Sequence, residues 1–448
     1  MDRNTLWRLG TALPLVLSCI GLADCSGTNG TTTAALPPTA IAAKRYTAGG
    51  QLDASFSGGA VATKIDPSEF EYALAVALQS GKIIAAGYSV LAGQGVIALV
   101  RYNADGSLDT AFGSSGIVRT AVPSVNAVAT AVVVQPGVPP AGDKILVAGS
   151  TFDPSTGTTG IVLARYDANG TLDASFAGGF VSAPIGPGTS VDNASLALQG
   201  DGSIVVAGAT TAGDFVLRRY DSTGVLDQSF GTNGTGGTTT THVGTSAMGP
   251  AIALQSGKIV AAGASGSFAS PPLNAVLVRY NTNGTPDMSF GSAGTGMVFT
   301  DTVPSSNNFA NAVAVQTPGD KIVVAGHAFV DFAADTSDII LLRYNADGSP
   351  DTNFGTGGTG AVVANLGAFD NAFSVALQST GEIVVSGNTG SGSTVNAAVV
   401  RFTAIGALDS TFGTGGIVTT SPAGPGTVAS ANAVLVQPDG SIVVAGYD

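Results

Sequence analysis

Arg101–Phe112 reads R-Y-N-A-D-G-S-L-D-T-A-F. The same frame returns at Arg45, Arg165, Arg219, Arg279, Arg343 and Arg401, always with an aromatic residue next, Gly five places on, Asp eight and Phe eleven. No copy gains or loses a residue inside it. A three-residue turn on Ala104-Asp105-Gly106 sets Tyr102 opposite Leu108 and Arg101 opposite Asp109. Such a turn ends in a left-handed residue, which favours Gly. The register therefore predicts seven cross-strand pairs: Arg45–Asp53, Arg101–Asp109, Arg165–Asp173, Arg219–Asp227, Arg279–Asp287, Arg343–Asp351 and Arg401–Asp409. An exposed pair contributes about 0–1 kcal/mol, whereas breaking a buried one costs about 3–5. Seven copies point to buried structural corners. A catalytic site needs asymmetry and one location.

Successive corners start 54 to 64 residues apart. Each is followed by a short apolar strand (Ile117-Val118), a strand ending in Gln (Ala73–Gln79), a tight polar turn, a very apolar strand ending in Gly (Lys321–Gly326), a loop of variable length, and a strand running into the next corner (Asn274–Arg279). Apolar runs of four to seven residues between Gly, Asn and Asp are the pattern of buried strands. Four strands per unit and seven units predict an all-β fold, a seven-bladed β-propeller of four-stranded blades. The body opens with a lone strand, Thr39–Tyr46, and stops after the third strand of the last unit. The N-terminal strand is thus expected to complete the last blade and close the ring. A β-solenoid has no reason to divide a unit between its ends. A membrane barrel needs longer strands of alternating polarity.

These motifs, R-Y-N-A-D-G-S-L-D-T-A-F-G with A-V-A-L-Q and K-I-V-V-A-G, resemble the delta-60 repeat family of bacterial proteins over about Thr39–Asp448. The resemblance implies a β-propeller and brings no known activity and no catalytic residues. Gly49, Pro286, Pro350 and Glu382 depart from the common pattern.

Of the 448 residues 10% are charged, and the net charge is −13 without a basic block. That composition argues against nucleic acid and against an anionic membrane surface as partners. Residues 1–25 read as a lipoprotein-like signal peptide: Arg3 and Arg8, an apolar run, then Leu22-Ala-Asp-Cys25. Cys25 is the expected lipidated residue, with Cys19 as the alternative acceptor and an ordinary secretory signal as the other reading. Residues 26–38 read as a flexible linker, and 39–448 as the propeller. The expected location is the bacterial cell envelope, facing the periplasm or the surface, on an outer-membrane lipoprotein anchor; otherwise the protein is secreted.

Chemistry is sparse. His242 and His327 fall in unrelated loop positions and are expected in solvent. Gly355–Gly360 matches G-x-G-x-x-G but precedes a strand, so it reads as a turn. The corner sequence N-x-D-G-x-x-D also resembles calcium loops, yet its ligand positions lapse between copies, which favours Asx turns. Asp331, Asp335 and Asp338 form a separate metal-site candidate. No catalytic or cofactor-binding residues are assigned, and no cofactor is expected beyond the calcium alternative. The reading that results is a non-enzymatic, monomeric envelope propeller that binds or scaffolds a protein or glycan. The alternatives are a hydrolase or lyase at the central channel, and a purely structural surface protein.

Overall fold

β-Branched and small apolar residues fill the runs between turn residues, and those runs form the strands. The computed structural model describes residues 39–447 apart from 68, 138–141, 185–193, 232–235, 267–272, 292–293, 305, 332–335, 356, 368, 392–393 and 422–428. The predicted signal and linker, with Cys19 and Cys25, lie outside the described residues, as does Asp335.

The described residues form 28 strands. First come β1 (Ile41–Tyr46) and β2 (Ala60–Thr63). Six sets of four follow: β3 (Tyr72–Gln79), β4 (Lys82–Leu91), β5 (Gln94–Tyr102) and β6 (Ile117–Thr120); β7 (Asn126–Gln135), β8 (Lys144–Phe152), β9 (Thr159–Asp167) and β10 (Phe180–Pro184); β11 (Ser195–Leu198), β12 (Ile204–Ala209), β13 (Asp214–Tyr220) and β14 (Thr238–His242); β15 (Ala247–Gln255), β16 (Lys258–Ser265), β17 (Asn274–Tyr280) and β18 (Met297–Thr300); β19 (Asn308–Gln316), β20 (Lys321–Asp331), β21 (Thr336–Tyr344) and β22 (Ala361–Ala364); β23 (Phe369–Leu377), β24 (Ile383–Ser391), β25 (Thr394–Phe402) and β26 (Ile417–Thr420). Last are β27 (Ser430–Val436) and β28 (Ile442–Tyr447).

Five four-stranded sheets and one eight-stranded sheet result. The large sheet is two sets of four joined by a single parallel bridge, Ser337 to Phe369. Elsewhere neighbours pair antiparallel in chain order. The exception holds the two ends of the described chain together, in the order β2-β1-β28-β27. β1 pairs with β28 along its whole length, from Ile41–Tyr447 to Tyr46–Ile442. The sequence reading gave one N-terminal strand to that sheet, whereas two belong to it. The first corner joins β1 to β2 as a hairpin, so both go together.

A second difference concerns the variable loops. Strands continue past the recurring Gly, so that β4 and β5 meet at a two-residue turn, Ala92-Gly93. That Gly has a steric cause. In six sets the strand ending in Gln carries a bulge or register shift opposite it, as between Ala310 and Ala312. The bulged strand pushes a carbonyl onto the second strand: a Cβ on Gly326 would sit 1.7 Å from Phe309 O.

The Gln-ending strands pack on one another in chain order, β3 on β7 through to β23 on β27, and β27 packs on β3. Apolar clusters form between sheets. One joins Ile84 and Leu99 to Val147 and Tyr166, and another joins Tyr46 to Val384, Phe412 and Val444. Each fully buried Val, Leu or Ile contributes about 1.5–3 kcal/mol, so burial between sheets is the main cohesive term.

Candidate functional site

The corner is built as its spacing predicts. Asp109 N–H donates to Arg101 O at 3.0 Å and Asn103 N–H to Ser107 O at 2.8 Å, with Gly106 at φ +85°. All seven aromatic residues after the Arg bridge to the residue before the Asp, Tyr102 to Leu108 and Tyr344 to Pro350 among them. All seven Arg–Asp pairs form, at 2.6–2.8 Å. Each guanidinium lies over the Phe that follows, from 4.2 Å at Phe112 to 5.0 Å at Phe56.

Three features of the corner have no signature in the spacing of one copy. First, each Arg also reaches the next corner. Arg101 Nη1 donates to Ala168 O, Arg165 to Ser222 O, Arg219 to Thr282 O, Arg279 to Ala346 O and Arg343 to Ala404 O. Arg45 donates to Ala104 O, and Arg401 to Ala48 O beside the first corner. Second, the corner Gly packs on the Phe of the preceding corner. A Cβ on Gly284 would lie 2.5 Å from the Phe230 ring, and one on Gly348 2.7 Å from Phe290. Third, the terminal Gln is part of the corner: Gln79 Oε1 accepts from Arg101 Nη1 at 2.5 Å, and Gln255 Oε1 from Arg279 at 2.7 Å.

Four corners hold a second cation. Lys82, Lys144, Lys258 and Lys321 lie 2.6–2.8 Å from Asp109, Asp173, Asp287 and Asp351, whose side chains are 2–7% exposed. Among the described residues Asp53, Asp227 and Asp409 have no such lysine, and they are 12–24% exposed. Burial pushes the Asp109 carboxyl up, but the Lys82 hydrogen bond and the Arg101 charge outweigh it and leave it below the usual carboxylate range. At Asp227 the Ser229 hydroxyl is the largest of the lowering causes.

A further link between neighbouring sheets is a matched hydroxyl pair. Tyr46, Tyr102, Tyr166, Tyr280 and Tyr344 meet Thr420, Thr63, Thr120, Thr241 and Thr300 at 2.6–3.0 Å. The corner without a Tyr hydroxyl, Phe402, belongs with an outer strand ending in Ala364 in place of Thr.

The opposite end of the strands does not repeat. The residues after the recurring Gly are Tyr88, Ser150, Ala209, Ala264, His327, Asn388 and Tyr447. Tyr72 stacks on Tyr88 at 5.2 Å, Phe309 on His327 at 4.7 Å, and Asn371 donates to Asn388 Oδ1 at 3.1 Å. Glu71 and Asp370 are fully buried carboxylates; they accept from loop N–H groups, Glu71 from Ile65 and Asp66, Asp370 from Leu366 and Gly367.

The expectation that both histidines sit in solvent holds for one of them. His242, exposed at the end of β14, lies 2.8 Å from Asp214. His327 is 3% exposed inside β20, because the strand continues past Gly326 where a loop was expected. Asp331 ends β20, and Asp338 Oδ1, on β21, accepts from Asn365 at 2.7 Å. Among the described residues no three His, Cys, Asp or Glu side chains are grouped so as to hold a metal ion. At the corner tips Asp105 Oδ1 accepts from both the N–H and the hydroxyl of Ser107, and Asp347 does so from Ser349.

The repeats match a known family. Residues 78–112, 143–176, 199–230, 254–290, 319–354 and 378–412 fit the model described as "Domain of unknown function (DUF5122) beta-propeller". The chain is a β-propeller repeat protein. No curated protein matches this propeller in sequence. Among solved structures it is similar to Sqt1 of Chaetomium thermophilum, with 11% identity, TM-score 0.40, and 84% of this chain and 95% of the other covered. The β-propeller domain of the Trilobed protease from Pyrococcus furiosus gives 9% identity and TM-score 0.37, covering 78% and 84%. The polysaccharide lyase Uly1 gives 9% and 0.39, covering 92% and 99%.

Proposed function

We propose that the protein is a non-catalytic binding or scaffold propeller of the bacterial cell envelope, tethered through Cys25. The carrying observation is the division of labour along the strands. At one end the repeated Arg, held by Asp and Gln of its own unit, fastens each unit to the next. At the other end the buried side chains differ from unit to unit and Phe70 stands exposed, which suits recognition of one partner by that end. We read the ring as seven blades, closed where β1 and β2 complete the sheet of β27 and β28. The Arg401–Ala48 contact and the packing of β27 on β3 support that reading.

Two experiments test these points. A glycan array and pull-down from envelope extracts should return one ligand class whose retention falls on substitution of Phe70, which is 43% exposed at the non-repeating end. Silence in both, or retention indifferent to every substitution at that end, overturns the binding reading. For the ring, Ala43→Cys with Ala445→Cys, register partners on β1 and β28, should oxidise to a disulfide in a chain whose Cys19 and Cys25 are replaced by Ser. Persistent free thiols count against closure.

A further inference from the structure

We infer that His327 is an acid-sensitive latch on the seam between the β19–β22 set and the β23–β26 set. This seam differs from the others. It holds the parallel bridge from Ser337 to Phe369, and Ser337 Oγ donates to Asp370 O at 3.1 Å and accepts from Asp370 N at 3.2 Å. Asn311, the bulged residue of β19, spans it by donating Nδ2 to Ala372 O at 2.7 Å. The same Nδ2 lies 3.0 Å from His327 Nδ1. The imidazole stacks on Phe309 with one face and meets Phe329 edge-on at 5.5 Å. With Asn311 donating, Nδ1 accepts and Nε2 carries the proton. Nε2 is buried with no hydrogen-bond partner among the described residues.

Protonation reverses the polarity of this contact. Nδ1 becomes a donor and faces a donor. If the Asn311 amide turns over to offer its oxygen to the imidazolium, that oxygen confronts the Ala372 carbonyl, and the link across the seam is lost. Holding His327 neutral thus goes with a closed seam, and protonating it goes with an open one. Burial alone pushes the imidazole down to about 3. An exposed imidazole titrates near 6.5, so the open seam binds the proton more tightly. Opening is then favoured progressively as pH falls from about 6.5 toward 3.

Most charged groups on the surrounding elements have partners of their own. β19 carries none. Asp301, in the loop before it, accepts from Asn308; Asp338 on β21 accepts from Asn365. Lys258 on β16 and Lys321 on β20 are held at corners by Asp287 and Asp351. Asp331 is the last residue of β20. Asp370 on β23 has its carboxyl raised by burial, so its titration favours the closed seam in acid, against the trend of His327. The test is therefore a difference between two proteins.

Hydrogen–deuterium exchange of the full chain and of His327→Phe, corrected for the intrinsic pH dependence, should separate them in segments 308–316 and 369–377. Between pH 6.5 and 4.5 protection in the native chain should fall about fiftyfold relative to the variant. Equal loss in both overturns the latch. The chain has two histidines, so imidazole proton resonances can be assigned with His242→Gln, whether or not His327→Phe folds. A His327 signal that stays put from pH 8 to 5 supports the latch, and one titrating with a midpoint near 6.5 refutes it.

Discussion

The two ends of the strands obey different rules. At the corner end, one set of side chains recurs seven times, and its Arg touches both its own unit and the next. At the other end the equivalent positions hold a tyrosine stack, a buried histidine and an asparagine pair. Repetition thus marks the contacts that the units share, and its loss marks those peculiar to one junction, such as the Asn311–Ala372 link beside His327.

Acid should test the corner end most severely. All seven corner carboxyls are held below the ordinary aspartate value. A lowered folded value means that their contribution is complete above about pH 4 and is lost as pH falls through the lowered values. Urea midpoints should hardly change from this cause between pH 8 and 5 and should collapse toward pH 2. A midpoint insensitive to acid below pH 4 would break the comparison at its root.

Among single substitutions, Arg219→Ala should cost about 3–5 kcal/mol, because Asp227 then keeps no cation at its corner. Arg119→Ala, an exposed side chain of β6, should stay within about 0.5 kcal/mol. Equal melting temperatures for the two would overturn the corner's structural role. The hydroxyl pairs give a finer test. Tyr344→Phe should cost about 1 kcal/mol through the lost Thr300 contact. Phe402→Tyr should destabilise by about 1–3 kcal/mol, and Ala364→Thr in the same chain should recover most of it. A double-mutant cycle with no coupling would show that the match of Phe402 with Ala364 is incidental. The smallest expected effect is Glu382→Lys, which supplies Asp409 with the second cation found at four other corners. A gain of about 0.5 kcal/mol is expected, and a loss would show that this corner has adapted to its absence.

The sequence shows what lies within a fixed frame. The hairpin register of Tyr102 with Leu108 and the Arg–Asp pairing follow from residues eight apart. Contacts between corners were hidden because 54 to 64 residues separate them and no local spacing relates Arg343 to Ala404. The second reason for the corner Gly, the Phe of the preceding unit, was hidden for the same cause. His327 was misread because nothing periodic marks a strand continuing past Gly326, and the neighbouring residue type changes in every unit. Asp338, one of the candidates in the run of Asp, accepts from Asn365, a contact that no local spacing announces.

The sheet that joins β1 and β2 to β27 and β28 has a consequence for synthesis. Roughly 380 residues separate its two halves along the chain, and at ribosomal rates of about 5–20 residues per second the first half waits roughly 20–80 s for the second. During that interval the β1 edge, later covered by β28, is open to pairing with another nascent chain. Chains emerging close together on one message are therefore candidates for exchanging β1 and β2, and dilution should favour β2-β1-β28-β27 sheets made from a single chain.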